Sequence, residues 1–412
     1  MNRQAPASGR ACQNRLRGVG GEVNKTTVSW LLIAPLLLLI LIGFVIPIGV
    51  SIKRAFDSPE ISIALPRTTL ALDAWDGEGM PPEEAFAAVV ADMGAGLDNR
   101  AFGALTRRLN FESTGLRSTL TKTRSGADTL EAPFATSLPE IAPEWGKPQI
   151  WRLLKLHGSP YTATYVLRSL DLRYNDTGAI VPVSEDQAIF RSLFLRTFLI
   201  SAAVTLITVV IGYPAAWYLS TLTGRGKAIA MMCVLIPFWI SILVRSTAWF
   251  ILLQREGVIN GLLSAASLIS EPKAIIFTRP AVYIAMVHVL LPFFILPLLS
   301  VMARIKGDYV RAGASLGAKP WQQFLLIYLP LTLPGLSAGA LIVFMLSVGF
   351  YITPALVGGI TDQMVGYYID YFTNNTINQG MAAALSFLLL LFTGLILLVA
   401  GRLMPSMGKG KS

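Results

Sequence analysis

The sequence predicts an all-α integral membrane protein with six transmembrane helices and a large insertion, mixed α/β or mostly α, after the first helix. Three observations predict it. The 412-residue chain is 53% hydrophobic and only 14% charged, with a mean hydropathy of +0.58, whereas soluble domains are about a quarter charged. Six stretches reach the roughly 20 mostly apolar residues that a bilayer crossing needs, and none contains Asp or Glu. The short segments between them alternate between basic and non-basic, as membrane topology requires. The net charge of +10 therefore reads as basic cytoplasmic loops. It does not read as a nucleic-acid surface, because no basic run is interleaved with aromatics.

Residues 1–27 form a basic tail with Arg10, Arg15, Arg17 and Lys25. Such a flank resembles a signal peptide, but the apolar run at 28–52 is too long for one and no A-x-A cleavage site follows. It reads as an uncleaved first span. Residues 53–190 have the charged, Pro- and Gly-containing texture of a soluble domain, near the length at which an independent core becomes feasible. Residues 82–93 pattern as an amphipathic helix, and 96–120 as one or two more, with Arg107, Arg108 and Arg117 outward. Residues 170–183 pattern as a hairpin turning at 176–178. Five further spans occupy 191–404, at 193–222, 228–253, 281–303, 333–357 and 381–403, and a second basic tail covers 405–412.

With six spans, the basic segments fall on one side, which must be the cytoplasm. They are the first tail, the turn with Arg225 and Lys227, the loop from Arg304 to Lys319, and the last tail. Both termini are then cytoplasmic and residues 53–190 periplasmic. The outer segment 358–380 has no Lys or Arg. The other short outer segment, 254–280, is a weak exception, with Arg255, Lys273 and Arg279 against Glu256 and Glu271.

Little in the chain points to catalysis. Cys12 and Cys233 have neither disulfide nor metal-ligand spacing, and His157 and His288 stand apart. No Ser/His/Asp, H-E-x-x-H or C-x-x-C arrangement occurs, so no catalytic residue, metal or cofactor is expected. The run at 408–412 lacks the first glycine of a phosphate loop, since Pro405 stands there, and no helix follows. The glycosylation patterns at Asn24, Asn175 and Asn374 are chance matches.

The informative segment lies between the fourth and fifth spans, in the loop 304–332, where residues 311–330 read RAGASLGAKPWQQFLLIYLP. Ala312, Gly313, Ala314 and Ser315 are small enough for another surface to approach closely. Gly317 breaks that helix, and Pro320 suits the first turn of a second one, after Ala318 and Lys319. Trp321, Phe324, Ile327 and Tyr328 recur at helical spacing, and Leu329-Pro330 and Leu333-Pro334 end the piece at the membrane. The product is a short helix–turn–helix along the cytoplasmic face. On these grounds alone it either transmits a push into the fifth span or merely anchors the loop in the interface.

This segment resembles the signature of ABC importer permeases: E-A-A, three residues, Gly, nine residues, I-x-L-P. Arg311, Ala312 and Gly313 fill the first three positions, Gly317 the glycine, and Ile327 with Leu329 and Pro330 the end. The acidic first position is Arg311 here, so the salt bridge of the usual Glu does not carry over. Residues 198–219, 237–263 and 378–386 further resemble the spermidine/putrescine permease branch. The resemblance spans essentially everything from Arg191 onward, and the 53–190 insertion departs from the simplest members. It implies a type I, MetI-like permease with its ATPase activity in a partner subunit. Two ATPase subunits would dock on the loop, and a second permease chain, different or identical, would complete the pathway. A periplasmic binding protein would deliver the solute, with membrane lipid around the spans.

Within the spans, Arg245 is the one deep basic residue. Its two readings are a structural role, by snorkelling or pairing with Glu256, and a place on the translocation path. His288 reads first as an interhelical hydrogen-bonder. Trp249, Tyr351 and Thr353 are path candidates, with Tyr351, Thr353 and Pro354 breaking the fifth helix near the outside. Gly335 and Gly339 have small-xxx-small spacing for close helix packing. A polyamine site normally needs carboxylates or aromatic faces, and the spans offer no acid. Asp362 and Asp370 lie in the outer loop. Either aromatics and a second subunit serve a cationic solute, or the solute is neutral or anionic. A secondary transporter would show intramembrane acids and inverted repeats, and neither is visible. A membrane-anchored scaffold would leave the 317-to-330 spacing without a reason.

Overall fold

The computed structural model describes residues 25–94 and 96–403. The tails, with Cys12, Asn24 and the 408–412 run, lie outside the described residues. The chain divides into two units, Met1–Lys53 and Arg54–Ser412. The first unit holds most of helix α1 (Ser29–Phe56), which is apolar as far as Ile52 apart from Ser29 and Ser51, with one π turn at Leu41–Val45.

The second unit begins with short helices: α2 (Glu60–Ala64), α3 (Pro66–Asp73), α4 (Glu83–Met93), α5 (Asn99–Glu112), α6 (Leu116–Gly126), α7 (Phe134–Ile141), α8 (Pro148–His157) and α9 (Thr164–Arg168). α4 forms because Phe86, Val89, Val90 and Met93 fall at i, i+3, i+4 and i+7, and all four are buried. Their partners are Trp145 and Trp151, whose rings lie 5.0 Å apart, with Phe86 4.5 Å from Trp151. Both indoles are satisfied: Trp145 Nε1 donates to Thr123 Oγ1 and Trp151 Nε1 to the Trp145 carbonyl. The hairpin forms as β1 (Leu172–Tyr174) against β2 (Ile180–Pro182), with Arg173 opposite Val181. Its turn is held by the Asn175 side chain, which accepts from Thr177 N and Ala179 N, and by Gly178 at φ +79°. Among the described residues this is the one sheet, so the segment is mostly α.

Arg107 and Arg117 point outward, but Arg108 does not: it is only 4% exposed. Leu105, Arg108, Leu109 and Glu112 share one helical stripe, and that stripe faces the core. The guanidinium is fully occupied there. It pairs with Glu112, donates to Ser58 Oγ at 2.8 Å, lies 3.2 Å from His157 Nδ1, and stacks over the Tyr165 ring. His157 must be neutral to accept from it. Burial is the main cause that pushes the His157 pKa down to about 4, helped by Arg108 and opposed by Glu112. The folded value lies below the ordinary 6.5, so the unfolded chain binds more protons between the two. This contribution is complete above pH 6.5 and lost progressively as pH falls toward 4, about 3 kcal/mol in all. Denaturant unfolding followed from pH 7 to 4.5 is expected to show this slope, and His157→Gln to flatten it. An equal slope in both proteins would refute the assignment.

Several contacts join this segment to the helices that follow, two of them close to helix starts. Asp171 accepts from Phe190 N at 3.0 Å and Arg191 N at 2.7 Å, which caps the start of α10 (Phe190–Thr221). Tyr165 lies against Gly380 so closely that a methyl there would overlap its ring.

The remaining helices are α11 (Gly224–Trp239), α12 (Ile242–Leu252), α13 (Val258–Ala265), α14 (Arg279–Met302), α15 (Gly307–Ser315), α16 (Pro320–Val348), α17 (Ile352–Val357), α18 (Val365–Asp370) and α19 (Gln379–Leu403). Among the described residues five helices are long and apolar enough to cross a membrane, and six if the bent pair α11–α12 counts as one. α14 is the hub, packed against α10 and α16. Its Phe294 wedges between two glycines: a Cβ on Gly212 would stand 2.5 Å from Phe294 Cδ1, and one on Gly339 2.9 Å from the Phe294 carbonyl oxygen. Gly335 meets Val301 in the same way, so the Gly335/Gly339 spacing serves close packing.

Two expected spans differ. The run at 228–253 is broken by a 99° bend between α11 and α12. Pro237 weakens the last turn of α11, Ile240 is extended, and Ser241 Oγ caps α12 by accepting from Val244 N. The fifth span is shifted: instead of 333–357, one helix runs Pro320–Val348 and a separate α17 follows. Leu329-Pro330 and Leu333-Pro334 do not end the amphipathic piece. A π turn at Phe324–Tyr328, with Leu329 N reaching back to the Phe324 carbonyl, carries the helix through both prolines.

Candidate functional site

The helix–turn–helix that links α14 to the apolar part of α16 is built by local bonds. α15 ends in a Schellman motif, with Ala318 N donating to the Gly313 carbonyl and Gly317 N to the Ala314 carbonyl. The residue after the cap must be left-handed, and Gly317 has φ +84°. Lys319 precedes Pro320 at the first turn of α16, where Gln322 Oε1 accepts from Lys319 N and Gln323 Nε2 donates to the Ala318 carbonyl. The two arms then close on each other. Gly313 is the buried residue of α15, and any side chain there would strike Ile327 Cδ1. On its other side the hairpin is held to α10. Tyr213 and Phe324 meet edge to face at 6.0 Å, and the Tyr213 hydroxyl lies 3.0 Å from Thr332 Oγ1.

The outer surface of this hairpin is apolar and unclaimed. Leu316 is 89% exposed, Trp321 60% and Leu326 71%. Arg311 is exposed beside them, and among the described residues its one ionic neighbour is Asp308 at 3.6 Å, itself exposed. The hairpin thus presents large apolar side chains beside two exposed cations, Arg311 and Lys319. Among the described residues no group of three or more His, Cys, Asp or Glu could hold a metal.

The second set of candidates separates into two places. Arg245, Trp249 and His288 come together: Trp249 Nε1 donates to His288 Nδ1 at 3.1 Å, and Arg245 lies within electrostatic reach of that ring. Arg245 makes no ion pair with Glu256; its Nε and Nη1 are closed off without an acceptor. Thr353 lies at the neighbouring contact, where its Oγ1 is 2.8 Å from Ser246 Oγ and joins α12 to α17. Tyr351 stands apart, in the non-helical link before α17, against Gly366. Tyr213, Thr332 and Ser246 complete these arrangements and were not legible beforehand, because nothing local marks them. The same holds for the pair Arg279–Asp362, at 2.9 Å, which ties the loop after α17 to α14 through a buried carboxylate.

Comparison with known proteins agrees with this picture. Residues 208–409 match the family described as "Binding-protein-dependent transport system inner membrane component". The spermidine/putrescine transport system permease protein PotB of Escherichia coli is 33% identical over 214 residues, 52% of this chain and 78% of the relative. The inner membrane ABC transporter permease protein YdcU of the same organism is 34% identical over 229 residues, 51% and 71% of the two chains. A bacterial alginate ABC transporter structure is also similar, at 18% identity and a TM-score of 0.44, covering 54% of this chain and 80% of that one.

Proposed function

The chain belongs to the binding-protein-dependent transport system inner membrane components, and from that premise we propose that it is the permease subunit of an ABC importer for a polyamine or a related small organic amine. The solute class rests on one observation, the 33% identity to a spermidine/putrescine permease across 78% of that relative. In this reading the ATPase activity belongs to two separate subunits that dock on the residue 311–330 hairpin from the cytoplasm. A second permease supplies the other half of the pathway, and a periplasmic binding protein delivers the solute to the side that carries residues 53–190. Both termini are cytoplasmic. ATP-driven closure of the ATPase pair pushes the hairpin. Because α16 continues from Pro320 to Val348 through its π turn, a push at Trp321 is carried along one helix to the break before Tyr351, and the pathway alternates between inward- and outward-facing states.

One observation favours a second reading, a neutral or anionic solute: the spans carry no Asp or Glu and hold Arg245. Uptake decides between them. Vesicles reconstituted with the complex, its binding protein and ATP are expected to accumulate labelled putrescine or spermidine, and the tagged chain to copurify with an ATPase. Absence of the ATPase would refute the permease reading; ATP-driven uptake of an acid but not of an amine would refute the solute class alone.

A further inference from the structure

We propose that Arg245 is the docking point for an intramembrane carboxylate supplied by the second permease chain, an inference that rests on the permease reading above. A guanidinium in an apolar span needs an anion or a full set of acceptors. Arg245 has neither: Nε and Nη1 are shut off from solvent with no hydrogen-bond partner.

Among the described residues no carboxylate pairs with Arg245. From Phe190 onward the acids are Glu256, Glu271, Asp308, Asp362 and Asp370. Asp362 is held by Arg279, Asp308 faces Arg311, and Asp370 accepts from Asn374. Glu256 and Glu271 are exposed in the loops beyond α12. The group beside Arg245 cannot accept either. His288 already uses Nδ1 to accept from Trp249, which leaves its proton on Nε2. Arg245 and His288 therefore present donors only.

The surface around Arg245 is open to another chain. α11 buries no residue and α12 only Ser246, while Leu243, Val244 and Trp239 are exposed. The counter-charge must also be permanent. A lone cation beside the path would repel a cationic solute of the proposed class, and a transient anionic solute would leave Arg245 uncompensated between cycles. A carboxylate on the facing permease neutralises Arg245 in every state, and complementary charge is a common device for fixing the register between chains.

The test uses the complete complex in membranes. A photo-crosslinking residue at Val244, in the otherwise wild-type chain, is expected to form an adduct with the second permease. Adducts with lipid alone, or only within this chain, would overturn the proposal. In pull-downs, Arg245→Gln is expected to lower recovery of the second permease about tenfold, with Arg245→Lys retaining most of it. Neutralising the partner's carboxylate should restore the Gln variant. If Arg245→Gln keeps the second permease but loses uptake, Arg245 serves the solute and the proposal fails. ATPase recovery reports separately on the permease reading, so loss of the adduct with the ATPase still bound refutes only this inference.

Discussion

Arg108→Ala is expected to unfold much of the segment between the first two spans, at a cost of about 3–5 kcal/mol, the penalty for removing one partner of a buried charge pair. The substitution strands three groups at once. Glu112 keeps a mostly buried charge, Ser58 Oγ loses its donor, and His157 Nδ1 retains only the 3.4 Å contact to Thr164 Oγ1. Tyr165 also loses the cation above its ring, and Tyr165 is the residue wedged against Gly380 at the start of α19. Hydrogen exchange on the full chain reads the result: protection should fall across α5, α8 and α9 and persist in α14. Arg108→Met combined with Glu112→Gln should recover part of the loss, because it removes both charges instead of stranding one. Unchanged exchange in Arg108→Ala would show that the network is not holding the segment.

The fate of Arg108 shows where the sequence misleads. Its charge pointed outward, but its spacing from Leu105, Leu109 and Glu112 pointed inward, and the spacing prevailed because Glu112, Ser58 and His157 satisfy the guanidinium. The spans were legible because a run of apolar residues can hardly be anything else. Their breaks were not. Pro214 passes through α10 without ending it, whereas Pro237 precedes a 99° turn; the difference lies in Ser241, which caps a new helix three residues past the weakened turn. Pro330 and Pro334 read as stops, since a π turn leaves no mark in hydropathy. The hairpin at Gly317 was legible because its causes are local: a left-handed glycine, a proline in the next first turn, and a Gln that reaches back. The residues that brace it, Tyr213 and Thr332, are 119 positions apart, and such a contact is written in the fold alone.

Gly313→Leu is expected to abolish most transport while leaving the spans intact. Gly313 sits where α15 crosses the π turn of α16, and any Cβ there strikes Ile327 Cδ1. The Ile327 terminal methyl can turn aside for a Cβ alone, but the rest of a leucine side chain has to enter the seam against a turn held to α10 through Phe324 and Tyr213. α15 must therefore lift away, carrying Arg311 and Leu316 out of register with Trp321. A hairpin that no longer moves as one piece cannot pass a push into α16. Uptake should fall about tenfold or more, the equivalent of at least roughly 1.4 kcal/mol of lost coupling. ATP hydrolysis in the complex should become insensitive to the loaded binding protein. Gly317→Ala makes the contrast. Nothing lies within 4 Å of a Cβ at that position, so the penalty is conformational alone, about 1–2 kcal/mol for a left-handed residue, and the loss of uptake should be smaller. Ile327→Ala removes the atom that Gly313→Leu strikes, so combining the two should return part of the transport. Uptake within twofold of wild type for Gly313→Leu, or no relief from Ile327→Ala, would mean that the closed hairpin is not the element through which this permease is driven.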